Sequence, residues 1–416
     1  MIYEQNDPVA CENCKKHLES MQELERLNKK ELFILKNPQK TITTNFPVKL
    51  DNGETKLVPA YRVQYNNSLG PTKGGIRFHP SVSESEVTEL AFLMSLKNSL
   101  AGLPYGGSKG GVKIDPRKLS KAEKERVARG YVRAMHQELG EKLDIPAPDV
   151  NTDSQVMAWM LDEYEKILGQ KAPGTFTGKP LDLGGIEGRS ESTARGGFFI
   201  IQEDYRNYDK SDLSVAVQGF GNAGKNISKM LYDEGFKVVA ISDSSTAIYQ
   251  EDGLNIDTLI EKESEIIEFE ELEEYQKISN KELLELEVEL LVPAALGGVI
   301  TDENASEIKA NRILELANSP VTPSAHKTIV ENGTNIIPDI LANAGGVIVS
   351  YFEWVQNLQN YYWSAEEDEK QLKERIQNAY RDVQAESEKH DLDLRTASYT
   401  ISINRILNSE RLKGRL

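Results

Sequence analysis

The run Val215-Ala-Val-Gln-Gly-Phe-Gly-Asn-Ala-Gly224 carries an apolar strand straight into a G-x-G-x-x-G turn. A helix to about Glu234 follows, then a second apolar strand ending at Asp243. Gly219 allows the tight turn, Gly221 leaves the backbone approachable, and Gly224 lets helix and strand close on each other. Further apolar runs at 289–293, 312–317 and 334–337 alternate with helical stretches. Such alternation predicts a parallel sheet covered on both faces. The helix that opens after the glycines presents free amides and the positive end of its dipole, a ready place for phosphates. The ordered strand, glycines, helix, strand and terminal acid mark a dinucleotide site with candidates Gly219, Phe220, Gly221, Asn222, Gly224 and Asp243. Asp243 is placed to accept from ribose hydroxyls. Ser244, Ser245 and Thr246 follow it with no arginine, which favours NAD; NADP stays open, since a lysine brought near by the fold would reverse the preference. The competing reading has Asp243 capping the next turn with Ser245, and the plainest one is a Rossmann unit without nucleotide.

At 416 residues the chain suits two domains. A hydrophobic content of 39% with 28% charged residues is that of a water-soluble globular protein, and no run is long and apolar enough for a membrane span. The net charge of −17 argues against nucleic acid as a partner. Cys11 and Cys14 form a Cys-x-x-Cys pair with no second pair of ligands nearby, so the expectation is a surface pair in a reducing cytoplasm and no metal.

Against that negative balance, three lysines stand where lysine is a poor structural choice. Lys73 and Lys109 are wedged between glycines in Gly70-Pro-Thr-Lys-Gly-Gly75 and Gly106-Gly-Ser-Lys-Gly-Gly111. Lys97 falls on the stripe Val87, Leu90, Ala91, Met94, Ala101 of a helix opened by a capping box of Ser83 and Glu86. The alternative for Lys97 is a packed stem with the ammonium snorkelling out. Ammonium groups gathered out of water make a pocket for a small anion, and burial pushes one of them toward neutrality at physiological pH. Asp149, in Ile145-Pro-Ala-Pro-Asp-Val-Asn-Thr152, sits on a loop stiffened by two prolines, or is merely a turn residue. The remaining pattern predicts a helical entry at 13–37, strands at 41–48 and 56–65 around Asp51-Asn52-Gly53, and helices at 121–139 and 154–168, the latter capped by Thr152 or Asp153 and closed by Gly169. It also predicts a glycine-rich hinge at 174–197, an acidic helix-rich stretch at 261–289, and three helices after Gly345.

The segments GPTKGGIRFHPSV (70–82), FLMSLKNSLAGLPYGGSKGG (92–111), PAPDVNT (146–152), TGKPLDLGG (177–185), GFGNAG (219–224), LVPAALGGVIT (291–301), ANSPVTP (317–323) and NAGGVIVSYFEWVQN (343–357) resemble the glutamate dehydrogenase branch of the Glu/Leu/Phe/Val dehydrogenases. The resemblance implies catalytic roles for Lys109 and Asp149, an α-carboxylate on Lys97, and a side-chain carboxylate on Lys73 and Ser350. Met94, Gly74 and Gly75 complete the substrate-binding candidates. It further implies cofactor contacts at Thr193, Asn222, Asn318 and Asn343, and a homohexamer assembled through the N-terminal domain. The implied fold is α/β, with a substrate and assembly domain (1–185, completed by helices at 350–416) and a Rossmann-type domain (186–349).

The expected chemistry is reversible oxidative deamination of L-glutamate to 2-oxoglutarate and ammonia, in a cleft between the domains that closes to exclude water. Asp149 takes the proton from the substrate ammonium, hydride leaves to NAD or NADP, and a neutral Lys109 activates water against the iminium. A branched-chain or aromatic specificity would want an apolar pocket, against which Lys73 stands; Ser350 alone could simply bond back to its own helix. A catalytically dead nucleotide-binding paralogue would be expected to lose Lys109 or Asp149. Ile186, Ala194, Leu316 and His326 depart from the family's usual pattern and bear on the cofactor rather than on the reaction.

Overall fold

A computed structural model describes residues 18, 27–264 and 269–416. Cys11, Cys14 and most of the entry helix expected at 13–37 lie outside them. The chain divides into two compact units. The first comprises residues up to Glu187 with Val347–Asp368 and Thr400–Leu416; the second comprises Gly188–Gly346 with Glu369–Tyr399.

The first unit begins with α1 (Lys29–Lys36), β1 (Lys40–Lys49), β2 (Thr55–Asn66), β3 (Thr72–Phe78), α2 (Glu84–Leu100), β4 (Gly106–Val112), α3 (Lys121–Met135), β5 (Asp144–Pro148) and α4 (Ser154–Leu168). Its five strands run in the order β1-β2-β4-β3-β5. β1, β2 and β4 pair antiparallel, and β3 runs parallel to both β4 and β5. Ile76, Phe78 and Val112 pack with Val127 and Tyr131 of α3 and Met157 and Met160 of α4 in the core on one face. On the other face α2 lies so close that a Cβ at Gly107 would fall 2.2 Å from the Ser95 nitrogen. The two prolines of β5 are tolerated because it is an edge strand.

β3 and β4 were not expected as strands. Their sequences, TKGGIRF and GGSKGGV, read as loops by composition. They are strands because helix and neighbouring backbones approach too closely for side chains, which only glycine permits. α2 also differs from its expected stripe: Thr88, Phe92, Leu93, Ser95, Leu96, Asn98 and Ser99 are buried as well, and the half-open line is Leu90, Met94 and Lys97. Ser83 caps the helix by accepting from the Glu86 nitrogen at 3.3 Å. The reciprocal half of the expected capping box is replaced, since Glu86 pairs with Arg77.

The second unit contains α5 (Ser192–Asp204), β6 (Ser214–Gln218), α6 (Asn222–Asp233), β7 (Lys237–Ser242), β8 (Ala247–Tyr249), α7 (Ile256–Ser264), β9 (Gln276–Ile278), α8 (Asn280–Leu284), β10 (Leu290–Pro293), β11 (Arg312–Leu314), α9 (Pro323–Glu331), β12 (Asn335–Ile337) and α10 (Asp339–Ala342). Strand order is β12-β11-β10-β6-β7-β8-β9. The strands from β12 to β7 are parallel, as the alternation predicts. β8 and β9 add an antiparallel edge, and β9 lies inside the acidic stretch expected to be helix-rich.

The chain closes with α11 (Gly345–Gln359), α12 (Ala365–His390) and α13 (Leu394–Leu412). The expectation that 350–416 belongs whole to the first domain differs from the contacts made. Gln377 donates to the Phe199 carbonyl at 3.1 Å, Tyr380 to Asp204 at 2.5 Å, and Arg395 to Glu315 at 2.6 Å, which ties 369–399 to the second unit. Residues past Thr400 return to the first unit, where Ser99 donates to the Ser402 carbonyl at 2.8 Å. No helix among the described residues is long and apolar enough to cross a membrane.

Candidate functional site

Side chains alternate across a strand, so the register of β3 with β4 and β5 puts Lys73, Gly75 and Arg77 on the α2 face with Lys109 and Asp149. Asp149 is the residue after β5. Its nitrogen donates to Thr152 Oγ1 at 2.8 Å, and that hydroxyl donates to the Ile76 carbonyl at 2.8 Å, so the loop is pinned to β3. The carboxylate stands over Gly75, where a Cβ would fall 2.8 Å from the Asp149 Cβ. Lys109 Nζ lies 2.9 Å and Arg77 Nε 2.7 Å from the same Oδ2. Helix α4 is capped by Asp153, whose side chain accepts from the Val156 nitrogen at 2.9 Å, and Thr152 is thereby left to the loop.

Burial would raise the Asp149 carboxyl, but Lys109 and Arg77 overcome that and hold it down at about 2. Lys109, nearly shut off from solvent, is lowered by burial first; Asp149 opposes this, while Arg77 and Arg62 add to it. The pair therefore combines a carboxylate that is ionised at rest with a lysine amine lowered below its ordinary value, both meeting at one oxygen.

Lys73 is 1% exposed, on β3, an interior strand between β4 and β5. Gly74 is forced by strand packing, since a Cβ there would sit 1.5 Å from the Ser108 carbonyl oxygen. Lys97 and Met94 occupy the half-open line of α2. Ser350, on α11, does not bond back to its helix: its hydroxyl meets that of Thr177 at 2.6 Å, and the Thr177 nitrogen donates to the Pro146 carbonyl of β5 at 3.0 Å. One turn on, Glu353 accepts from the Gly178 nitrogen at 2.7 Å and from Lys179 Nζ at 2.7 Å, both side chains of that ion pair being fully buried.

Two groups escaped the sequence reading. Arg77 would have been found had β3 been recognised as a strand, because Lys73, Gly75 and Arg77 alternate. Arg62 is fully buried and pairs with Asp144 through Nε at 2.7 Å and Nη2 at 2.6 Å. It also donates to the Gly74 carbonyl at 3.1 Å and to Ser108 Oγ at 2.8 Å, beneath the strands that carry the lysines.

In the second unit Gly219 has φ +94 and donates to Ser242 Oγ at 3.1 Å. A Cβ at Gly224 would lie 1.8 Å from the Gly219 oxygen, whereas one at Gly221 would meet nothing within 4 Å. Gly221 begins α6 without any side-chain cap, so the first amides of a twelve-residue helix face open space. An uncapped helix end beside a cradle that only glycine leaves empty fits a pyrophosphate. Phe220 is buried against Phe269, ring centroids 5.4 Å apart, and packs rather than faces that space. Asn222 donates to the Ser190 carbonyl at 2.6 Å. Asn343 donates to Asn318 Oδ1 at 3.0 Å, and Thr193 Oγ1 would lie 2.9 Å from a Cβ at Gly346.

Asp243 follows the competing reading. Its Oδ1 accepts from the Ser245 nitrogen (2.7 Å) and hydroxyl (2.7 Å) and from the Thr246 nitrogen (2.8 Å). Oδ2 takes a longer bond from the Phe269 nitrogen, at 3.3 Å, and keeps room for another donor. Lys277, on β9, donates to the Phe269 and Leu272 carbonyls. Ile186, Ala194 and Leu316 are all buried packing residues.

Residues 38–166 match the sequence model of the Glu/Leu/Phe/Val dehydrogenase dimerisation domain, and 184–414 match the Glutamate/Leucine/Phenylalanine/Valine dehydrogenase model. The chain belongs to this family. It is 47% identical to the NAD-specific glutamate dehydrogenase of Staphylococcus aureus (strain COL) over 92% of each chain. It is 45% identical to the catabolic NAD-specific glutamate dehydrogenase RocG of Bacillus subtilis (strain 168), over 92% of this chain and 90% of RocG. The fold resembles the crystal structure of hetero-hexameric glutamate dehydrogenase from Thermus thermophilus in its leucine-bound form, with a TM-score of 0.91 and 32% identity over 99% of this chain and 98% of that one. Glutamate dehydrogenase from Peptoniphilus asaccharolyticus gives 0.86 and 38% over 97% and 99%.

Proposed function

We propose that the protein is an NAD-dependent glutamate dehydrogenase that interconverts L-glutamate with 2-oxoglutarate and ammonia. The observation that carries this is the shared Asp149 oxygen, 2.9 Å from Lys109 Nζ, on a sheet face that also carries Lys73. The NAD-specific glutamate dehydrogenases among its relatives support the substrate and the cofactor.

Lys97 holds the α-carboxylate, and Lys73 and Ser350 take the side-chain carboxylate, with Met94, Gly74 and Gly75 lining the substrate. Asp149, ionised at every working pH, receives a proton from the substrate ammonium and frees its lone pair. NAD, when bound, supplies the hydride acceptor. Its holders in the second unit are Gly219, Gly221 and Gly224 at the pyrophosphate, Asp243 through its free Oδ2 capacity, and Thr193, Asn222, Asn318 and Asn343. Lys109, biased toward the neutral amine, takes a proton from water as that water adds to the substrate iminium. Asp149 then returns its proton to the nitrogen; as the C–N bond breaks and ammonia leaves, the hydroxyl oxygen closes to the 2-oxo group and gives its proton to the Asp149 carboxylate just freed. In the reverse direction the same groups exchange roles.

The assembly we assign is a homohexamer built through the N-terminal unit. The match of 38–166 to a dimerisation domain and the hexameric Thermus relative support it. Initial rates with L-glutamate and L-leucine, each with NAD and NADP, test the assignment. A kcat/KM for leucine equal to that for glutamate would overturn it.

A further inference from the structure

One buried charged cluster of the second unit has no part in the chemistry above. Glu315, just past β11, is fully buried. Its Oε1 accepts from Arg395 Nη2 of α13 at 2.6 Å, and its Oε2 from the Asp339 nitrogen at 2.9 Å. Asp339 in turn lies 4.0 Å from Arg395 Nη1, and its Oδ2 accepts from the Ser319 nitrogen at 2.9 Å. Ser319 has φ +47, a left-handed conformation that a non-glycine residue keeps only when its surroundings enforce it. Its neighbour Asn318 receives a hydrogen bond from Asn343, whose own nitrogen donates to the Asp339 carbonyl at 3.1 Å. The loop 317–319 is thus fastened twice to the short helix α10, and the Asp339 that begins α10 is fastened to Glu315 and Arg395.

His326 completes the arrangement. Arg395 Nε donates to His326 Nδ1 at 3.2 Å, so that nitrogen carries no proton. The ring proton sits on Nε2, 3.1 Å from Asp393 Oδ1. A neutral imidazole orients the guanidinium without competing for its charge. An acid at 326 would draw that charge away from Glu315 and Asp339.

We propose that Arg395 is a positioning residue for the dinucleotide: without touching it, the guanidinium sets the 317–319 loop through Glu315 and Asp339. This rests on the reading that Asn318 and Asn343 contact the cofactor. Removing Arg395 alone would strand the buried Glu315 carboxylate, so Arg395→Met is paired with the double variant Glu315→Met/Arg395→Met, which removes that ion pair at similar volume, leaves Asp339 accepting from the Ser319 and Ile340 nitrogens, and is expected to restore stability.

NADH binding is measured by fluorescence titration on the full-length protein, beside thermal melting and the KM for 2-oxoglutarate. Both variants are expected to bind NADH about tenfold more weakly, equivalent to roughly 1.4 kcal/mol, with the KM for 2-oxoglutarate unchanged. The double variant is expected to melt near the wild-type temperature. If Arg395→Met does not fold, the double variant decides alone. Wild-type NADH affinity in the double variant would overturn the proposal. Asn318→Ala separates the two layers of the argument. Unchanged affinity there removes the cofactor reading and the proposal with it. Weakened affinity there, with a double variant that binds normally, overturns the positioning role alone.

Discussion

Glycine does opposite work in the two units. In β3 and β4 of the first unit the glycines are packed solid: a Cβ at Gly74 would lie 1.5 Å from a carbonyl oxygen, and one at Gly107 would lie 2.2 Å from the Ser95 nitrogen. At the start of α6 in the second unit, a Cβ at Gly221 would meet nothing within 4 Å. The first set brings protein backbone against protein backbone, so that Lys73, Lys109 and Asp149 are held by rigid strands. The second leaves room for something that is not protein. A glycine-rich motif therefore says only that a side chain is unwelcome; the neighbour it makes room for has to be found in the fold.

The largest expected effect breaks this contrast directly. Gly74→Ala is expected to cost about 4 kcal/mol or more and to abolish soluble expression, because the clash is with backbone. Gly221→Ala, at an uncapped helix start, should change stability by roughly 1 kcal/mol at most. It should nonetheless lose NADH binding by fluorescence titration. Equal losses of melting temperature in the two variants would show that the distinction is false.

Lys73→Leu comes next. Leaving the substrate's side-chain carboxylate unpaired costs roughly 2–5 kcal/mol in kcat/KM for glutamate. Norvaline, which lacks that carboxylate, should be far less affected. Parallel losses for both substrates would mean that Lys73 serves the sheet rather than the substrate.

Arg77→Leu sharpens the account of the first unit. Burial and the Arg77 cation both lower the Lys109 amine, so removing the cation raises it. In the proposed mechanism Lys109 works as the neutral amine, so the acid-side limb of the kcat/KM–pH profile is expected to move to higher pH. A limb that stays put, or moves down, would show that Arg77 does not tune the lysine.

Asp243→Ser carries the smallest effect. With Oδ1 already taken by Ser245 and Thr246, the loss should be about 1 kcal/mol of turn stability and a small change in the NAD/NADP ratio of kcat/KM. A reversal of cofactor preference would place Asp243 on the ribose as its chief determinant.

The second unit was the more legible from sequence, because apolar strands of β-branched residues and a glycine turn each announce themselves locally. Its antiparallel edge was not legible, since β8 and β9 are three residues long and β9 lies among acidic residues. In the first unit Lys73, Lys109 and Asp149 stood out as chemistry while the strands that carry two of them did not. Glycine has low strand propensity, and only the tertiary approach of α2 and the neighbouring strands explains its use there. Arg77 and Arg62 were missed for the same reason, because neither alternation nor pairing could be read without those strands. Lys97 was placed on an apolar stripe, but a helix packed on most of its surface has no single stripe, and the open line shows only in the fold.

Arg62 reaches Asp144 of β5, the Gly74 carbonyl of β3 and Ser108 of β4 from its own place on β2. Every strand except the outer β1 is thus joined through one guanidinium, where bare glycines supply no side chains to interlock. In the language of hydrogen exchange, such a sheet has no shallow opening. Releasing the amides of β3 would mean giving up a buried charge pair along with them, so these amides exchange with the slowest, globally unfolding class. Lys73 and Lys109, to which the proposed mechanism assigns substrate binding and catalysis, are thereby mounted on the part of the unit expected to come apart last.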